Sequence, residues 1–475
     1  MKLYNTLTRS VVPVQPLQPP AVTVYTCGPT VYDYAHIGHW FNYVRMDMLI
    51  RTLKLSGLHP QWVMNITDVG HLVSDADEGE DKLEKGARRE GKTAWKVAEF
   101  YTDDFLECLA MLHILPPDHI TKATDHIQEQ IALIQKLVEK GYTYTISDGV
   151  YYDTSKFEGY AAFARLDLDG QQAGARVDYN REKRNPSDFA LWKFSPKNGQ
   201  RDMEWSSPFR GLDGEERKGF PGWHIECSAM SMKYLGDTLD IHTGGIDHVP
   251  VHHTNEIAQS EAATGTRFAN HWMHSNHVMV EGEKISKSLG NGIRLQTIVE
   301  QGISPEAVRL HILESHYRSQ SHFSMDSLRA AVSRLQGLYS MAVRRWQPAQ
   351  SDDTVSAEEL AVLKQAILSA LQNDLNTAQA LAELSALEEA IDKRGISISS
   401  QELFGRLLEW LDEAFGLDLS QQPNVSAEQT ALIHKRQQAR DAKDWTASDE
   451  IRDQLAAEDI GIRDTPAGAI WYRLF

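Results

Sequence analysis

The sequence predicts an α/β chain organised on a doubly wound parallel sheet, with an inserted connective domain, then a helical bundle and a small C-terminal α+β module. Three observations carry this. Residues 21–26 alternate in β-favouring residues, Gly28-Pro29 stops the run, and residues 35–55 repeat apolar side chains at Phe41, Val44, Met48 and Leu49 with helical spacing. The apolar run from Gln61 to Ile66 supplies a second strand, so the chain opens as strand, turn, helix, strand, the unit that winds parallel sheets. After about residue 325 the composition shifts to Ala, Leu, Gln and Glu, with helical periodicity from Leu328 to Gly416 and no chemical motif.

The other elements follow in order. The segment from Ser74 to Lys92 is densely charged and reads as a solvated loop and helix start. Helical patterns continue to Lys140. Between Tyr142 and Gly222 the text turns irregular and hairpin-like, as expected of a domain inserted between two halves of a sheet. Strand-like text resumes at Thr238 to His242, followed by Gly244-Gly245. Beyond Pro423, Gln429 to Ala456 is helical and residues 460–472 read as two short strands about a turn. The expected organisation is 1–115 and 222–275 for the two halves of the sheet domain, 116–221 for the insertion, and 276–330 for a following connecting region. Residues 331–422 are the bundle and 423–475 the last module.

A length of 475 residues calls for two to four domains. Hydrophobic content of 41% and charged content of 24% are those of a globular protein. The N-terminus lacks the apolar core of a signal peptide, and no stretch approaches the roughly 18 apolar residues of a membrane span, so a cytoplasmic protein without a membrane partner is expected. Three cysteines are too few for a disulfide framework and point to reduced thiols. A net charge of −18 weighs against nucleic-acid binding. It does not exclude it, because Arg318, Arg329, Arg334, Arg344 and Arg345 form a basic stretch opposed only by Asp326. Taken alone, that stretch reads as a solvated helix face.

Two of the three cysteines mark the chemistry. Cys27 directly follows the first strand, and Cys227 lies in Trp223 to Met230, shortly before His252-His253-Thr254-Asn255-Glu256. In that last segment a histidine and a carboxylate four apart share one face if it is helical. Two thiolates, one imidazole and one carboxylate make a four-ligand zinc set. His36-Ile37-Gly38-His39 places two histidines at a helix start, where backbone N–H groups already favour anions. Glu283 to Asn291 holds Lys284 and Lys287 three apart in a Lys- and Ser-rich loop ending in Gly, suited to neutralising a leaving phosphate. Each motif alone is commonplace. Both in this order, about 250 residues apart with an insertion between, are specific.

On these residues the chain resembles the class I aminoacyl-tRNA synthetases, with their His-Ile-Gly-His and Lys-Met-Ser-Lys-Ser signatures, and more narrowly the cysteinyl-tRNA synthetases. The matching segments include residues 25–33, 65–68, 188–193, 222–231 and 255–262, with Asn373 to Thr377 and Ala447 to Leu455 later, so the likeness spans nearly the whole chain. The resemblance implies a Rossmann-type catalytic sheet, and cysteine, ATP with Mg²⁺, and tRNA(Cys) as partners of an expected monomer. It implies one Zn²⁺ per subunit on Cys27, Cys227, His252 and Glu256, with His253 as rival ligand. His36, His39, Lys284 and Lys287 would act on the phosphates. Thr67, Trp223, His224, Gly244, Gly245 and Asp247 would line the amino-acid and adenosine pockets.

Departures from the family pattern are Ile285 for the usual Met, Thr243 in the usual triple glycine, Val69 to Leu72 after Asp68, and charged insertions at 74–84 and 210–218. They touch nucleotide and tRNA contacts more than the reaction. Eight of the nineteen histidines fall between His224 and His277; most read as surface or supporting groups, and no second metal site is assigned. Two alternatives remain open at this point. One is a ligase joining cysteine to the amino sugar of mycothiol, which lacks the complete C-terminal region; the other is a non-catalytic tRNA-binding relative, which would have lost motif residues.

Overall fold

The computed structural model describes residues 1–70, 81–166, 180–196, 201–284, 292–349, 353–465 and 468–474. Five parallel strands form the central sheet, in the spatial order Ala269–Ser275, Leu239–Gly245, Ala21–Thr26, His59–Ile66 and His119–Lys122. The chain begins in the middle, winds to one edge, and returns to build the other side. The switch point lies between Ala21–Thr26 and Leu239–Gly245, where doubly wound sheets bind ligands at the strands' carboxyl ends. Cys27 leaves one of these ends and Gly244-Gly245 closes the other.

The helix read from residue 35 spans Ile37–Leu55, because His36 is its cap rather than its first turn. His36 Nδ1 accepts from the Gly38 N–H at 3.2 Å, and His39 Nδ1 accepts from the His36 N–H at 3.1 Å. Each histidine thus satisfies a donor that a helix start leaves orphaned. The helix is buried around most of its circumference, from Trp40 and Phe41 to Ile50 and Leu53, which is why its apolar stripe is weak in the sequence.

The insertion is a five-stranded antiparallel sheet in the order Thr143–Ile146, Gly149–Tyr152, Phe189–Phe194, Glu216–Pro221, Trp205–Arg210. The charged segment at 210–218 is the turn between its last two strands in sequence, with their adjoining ends. A three-stranded sheet of Glu283–Lys284, Val278–Val280 and Ser321–Phe323 follows the last strand of the parallel sheet. The bundle consists of Met325–Ala342, Ala357–Gln372, Thr377–Arg394 and Gln401–Phe415. The last module is not one helix but two, Ala427–Asp441 and Trp445–Ala456, broken where Lys443 takes φ 62°, followed by the antiparallel hairpin Ile460–Thr465 with Gly468–Arg473. Arg344, grouped with the solvated arginines from sequence, is buried at 6% exposure.

Two polar joints fix the bundle against the sheet domain. On the first helix, Asp47 takes Arg51 Nε at 2.7 Å and also pairs with the buried Arg309. The two guanidiniums then donate to the Asp412, Glu413 and Phe415 carbonyls, capping the last turn of Gln401–Phe415 where cations are favoured. In the second joint, Asp374 accepts from the Tyr4 N–H at 2.8 Å, the Tyr317 hydroxyl at 2.6 Å and Arg318 Nε at 2.8 Å. Asp374 and Leu375 both have positive φ, a strained turn that these bonds hold.

Candidate active site and metal centre

Three segments distant in sequence converge beneath the switch point. Cys27 is fixed by its N–H bond to the Thr243 carbonyl at 3.2 Å. Cys227 sits in the helix Trp223–Leu235, and Glu256 in the first turn of Thr254–Thr264. His252 lies in a π-helical turn, Val249–His253, that leads into that helix. The ligand atoms of Cys27, Cys227, His252 and Glu256 all fall within 4.8 Å of one another, and all four residues are buried. Within the set, His252 Nε2 is 2.9 Å from Glu256 Oε1.

The wider π turn brings the next histidine in as well. His253 Nε2 lies 3.4 Å from Cys27 Sγ, and His242 Nε2 lies 2.7 Å from Glu256 Oε2. Cys27, His242, His253 and Glu256 therefore form a second, overlapping donor set within the same span. His253 Nδ1 is in turn 2.7 Å from His274 Nε2, and His274 Nδ1 is 2.7 Å from Thr6 Oγ1. Of the eight histidines in this window, His224, His242, His252, His253, His271 and His274 are buried, so they are not surface groups. The sequence carries no helical or strand period that would have shown this.

Burial disfavours charge on Glu256, but His242 and His252 outweigh it and hold the carboxyl well below the usual range. Burial also pulls His252 down, yet Glu256 and then Cys227 prevail and raise it to about 10. Burial pushes the Cys27 thiol up, while its hydrogen bond to Cys227 brings that thiol down to about 7. Burial keeps His253 and His274 well below their ordinary value and lowers His248 to about 4. The pocket is a carboxylate and a proton-sharing thiol pair beside a protonated His252, with the neutral imidazoles of His248, His253 and His274 around them. Such a buried sulfur, nitrogen and oxygen set fits Zn²⁺, which binds thiolate and neutral imidazole and displaces their protons.

The second centre is an open cleft of about 570 Å³ along the start of the first helix. His36, His39, Tyr34, Asp33, Arg89 and Arg294 are among its lining residues, and the two histidine rings lie 4.0 Å apart. Because each histidine accepts through Nδ1, the neutral ring carries its proton on Nε2, the donor a phosphate oxygen requires. In the strand Glu283–Lys284 the backbone of Lys284 pairs with Met279. Lys287 lies outside the described residues, with the rest of 285–291. The chain is pinned where it returns: the Ile37 N–H donates to the Ile293 carbonyl at 2.8 Å.

Comparison with known proteins agrees with this layout. A profile of the tRNA synthetases class I (C) catalytic domain matches residues 13–333, and one of the cysteinyl-tRNA ligase anticodon binding domain matches residues 422–473. Cysteine–tRNA ligase 1 of Burkholderia lata is 45% identical over 98% of this chain and 96% of its own. The cysteine–tRNA ligase of Chlorobaculum tepidum is 43% identical over 99% and 98%. The chain belongs to the cysteine–tRNA ligases. Among solved structures, a methionyl-tRNA synthetase of Mycobacterium tuberculosis in complex with methionyl-adenylate shares the fold, with a TM-score of 0.61 at 14% identity, over 85% of this chain and 93% of that one. Membership makes the protein an aminoacyl-tRNA synthetase that joins cysteine to tRNA. Nothing found supports the amino-sugar ligase or the non-catalytic relative.

The remaining sequence-predicted residues of this ligase gather around the two centres. Trp223 packs its ring 4.4 Å from that of His252, and His224 Nδ1 lies 2.9 Å from His252 Nδ1. A Cβ on Gly244 would stand 2.7 Å from His248 and 2.8 Å from His253, so only glycine lets these imidazoles close in. Gly245 faces the Asp247 carboxylate, where a Cβ would meet Oδ1 at 2.4 Å. The Thr67 hydroxyl is committed to protein, donating to Glu226 Oε2 and accepting from Asn65 Nδ2, each at 3.1 Å. Sequence reasoning missed His242, His274, Asn65 and the two cleft arginines. Asn65 matters because its side chain receives the Gly28 N–H at 2.8 Å, beside a carbonyl that a Cβ on Gly28 would overlap.

Proposed function

We propose that this ligase activates L-cysteine with ATP and transfers the cysteinyl group to the 3′ end of tRNA(Cys), using the two centres for separate tasks. The cysteine carboxylate attacks the α-phosphorus, the bond to the β-phosphate oxygen breaks, and pyrophosphate leaves. The terminal ribose hydroxyl then attacks the acyl carbonyl, AMP departs, and the hydroxyl proton passes to solvent or the phosphate. No protein side chain becomes acylated.

The observation that supports this most is the convergence of Cys27, Cys227, His252 and Glu256 into one buried donor set. These residues would hold one Zn²⁺ per subunit, and the ligase is taken to act as a monomer. Zinc so held prefers a thiolate to a hydroxyl, which adds discrimination beyond the roughly 1–3 kcal/mol of a shape-selective pocket. His252 is favoured over His253 because its set includes both thiols, whereas His253 is already bonded to His274. Trp223 and His224 orient His252. His242 buttresses Glu256, as partners behind metal ligands commonly do.

His36 and His39 would donate from Nε2 to the α-phosphate as charge builds there. Lys284 and Lys287 would neutralise the pyrophosphate, with Mg²⁺ accompanying ATP. Gly244, Gly245 and Asp247 sit at the strand end where the adenosine would rest, and Thr67 keeps the facing strand end in register. The organisation into 1–115, 116–221, 222–275, 276–330, 331–422 and 423–475 and a cytoplasmic location complete the proposal. Among the described residues, no helix is long and apolar enough to cross a membrane.

Cysteine-dependent exchange of pyrophosphate into ATP, followed by charging of total tRNA, tests the reading. Exchange plus acid-precipitable cysteinyl-tRNA is the expected result. Exchange without a tRNA product, but with ligation to an amino sugar, would overturn it.

A further inference from the structure

The histidine cleft contains two cations that the phosphate chemistry above leaves without a task. Arg294 follows the segment pinned by the Ile37–Ile293 hydrogen bond, at the foot of the lysine loop. Its guanidinium carbon lies 3.4 Å from the centroid of the Tyr34 ring, and its Nε is buried without a hydrogen-bond partner among the described residues. The carboxylate in reach, Asp104, stands 3.9 Å from Nη2 and already receives Gln296 Nε2 at 3.1 Å. Arg294 is therefore held by stacking, not consumed by an ion pair.

Arg89, at the end of the helix Lys82–Glu90, lines the same cleft. It touches Glu90 Oε1 through one nitrogen at 3.1 Å, but Glu90 also receives the Tyr101 hydroxyl at 2.7 Å and Lys92 Nζ at 3.1 Å. Most of the Arg89 fork remains available. Against these two guanidiniums, Asp33 is the acidic residue in the lining. A cleft with two arginines and two imidazole donors is a site for a polyanion, and planar forks match phosphate oxygens in pairs.

We propose that Arg294, assisted by Arg89, binds the β- and γ-phosphates of ATP and the pyrophosphate they become. This rests on the assignment of the cleft to ATP. Arg294 supplies a fixed cation at the loop's root, while the lysines act from the loop itself. Tyr34 helps to place the guanidinium, since an arginine lying over a ring face can still donate from its edge nitrogens.

The test is equilibrium binding of Mg-ATP and of AMP to the full-length protein and to Arg294→Ala, Arg294→Lys and Arg89→Ala, with cysteine-dependent exchange run alongside. Arg294→Ala should weaken ATP by ~10-fold or more, the size of a lost charge-assisted bond, while AMP binding and zinc content stay within about twofold. Arg294→Lys should recover part of the loss, and Arg89→Ala should show a smaller one of the same kind. Equal weakening of ATP and AMP would overturn the inference by making Arg294 merely structural. Unchanged ATP binding, or an effect confined to the KM for tRNA, would overturn it too. Exchange by the wild type separates these failures from failure of the ATP-dependent activation to which the cleft is assigned, which would show as no exchange at all.

Discussion

The thiol pocket and the histidine cleft lie at neighbouring strand ends, yet they are built on opposite principles. The pocket is closed: its donors are buried within 4.8 Å and each is braced by another side chain. The cleft is open, about 570 Å³, and its cations are held by stacking or shared hydrogen bonds. The difference suits the tasks proposed for them. Telling one side chain from another needs rigid groups that are costly to leave unpaired, whereas handling a triphosphate that enters, splits and leaves needs donors that turnover does not trap.

If that division holds, breaking one centre should spare the other. The largest effect is expected from Cys27→Ser, which should lose stoichiometric zinc and at least ~100-fold in kcat/KM for cysteine, beyond the range seen for partners behind a ligand. Metal analysis and exchange kinetics check this, with ATP binding unaltered as the sign that the cleft survives. Next, His39→Ala should cost about 10²–10³ in kcat, as loss of a transition-state donor does, with full zinc content and little change in the KM for cysteine. A lowered zinc content in that variant would show the centres to be one.

A smaller effect is expected from His242→Gln, which keeps a donor near Glu256 but loses the imidazole's fit: roughly 10-fold weaker zinc binding in competition with a chelator. The smallest concerns neither centre. His113 Nε2 lies 2.7 Å from Glu306 and 3.5 Å from Asp418, and its pKa is raised chiefly by the Glu306 hydrogen bond. A raised value means that the contribution is complete below about pH 6.5 and is lost as pH rises through the folded pKa. Partly exposed, it should be worth under about 1 kcal/mol. The Tm difference between wild type and His113→Gln should accordingly shrink from about pH 5.5 to about pH 8.5, with zinc and ATP binding untouched.

Much of the closed centre was legible in the sequence because scarcity exposed it: of three cysteines, one directly follows a strand and another comes shortly before a His-x-x-x-Glu step. What was not legible was its support. The π turn at Val249–His253 adds one residue to the helical count and brings both His252 and His253 to bear, which an ideal helical wheel does not anticipate. His242 and His274 reach the site from two parallel strands, so only the register of the sheet could reveal them. In the cleft, His36 read as a helical residue but is the cap, a distinction made by one backbone turn. Arg294 stacks on Tyr34 across a separation that leaves no local pattern. The parallel sheet was legible from its first three elements. The insertion's sheet was not, because Phe189–Phe194 is buried at every position and so shows no alternation.

The claim that a buried zinc set selects cysteine is tested most directly by comparing cysteine- and serine-dependent pyrophosphate exchange in the wild type and in Cys227→Ser, each with its zinc content measured. The wild type should favour cysteine by ~10⁴-fold or more, and Cys227→Ser should lose both the metal and that preference. A Cys227→Ser protein that keeps stoichiometric zinc and the full preference for cysteine would contradict it.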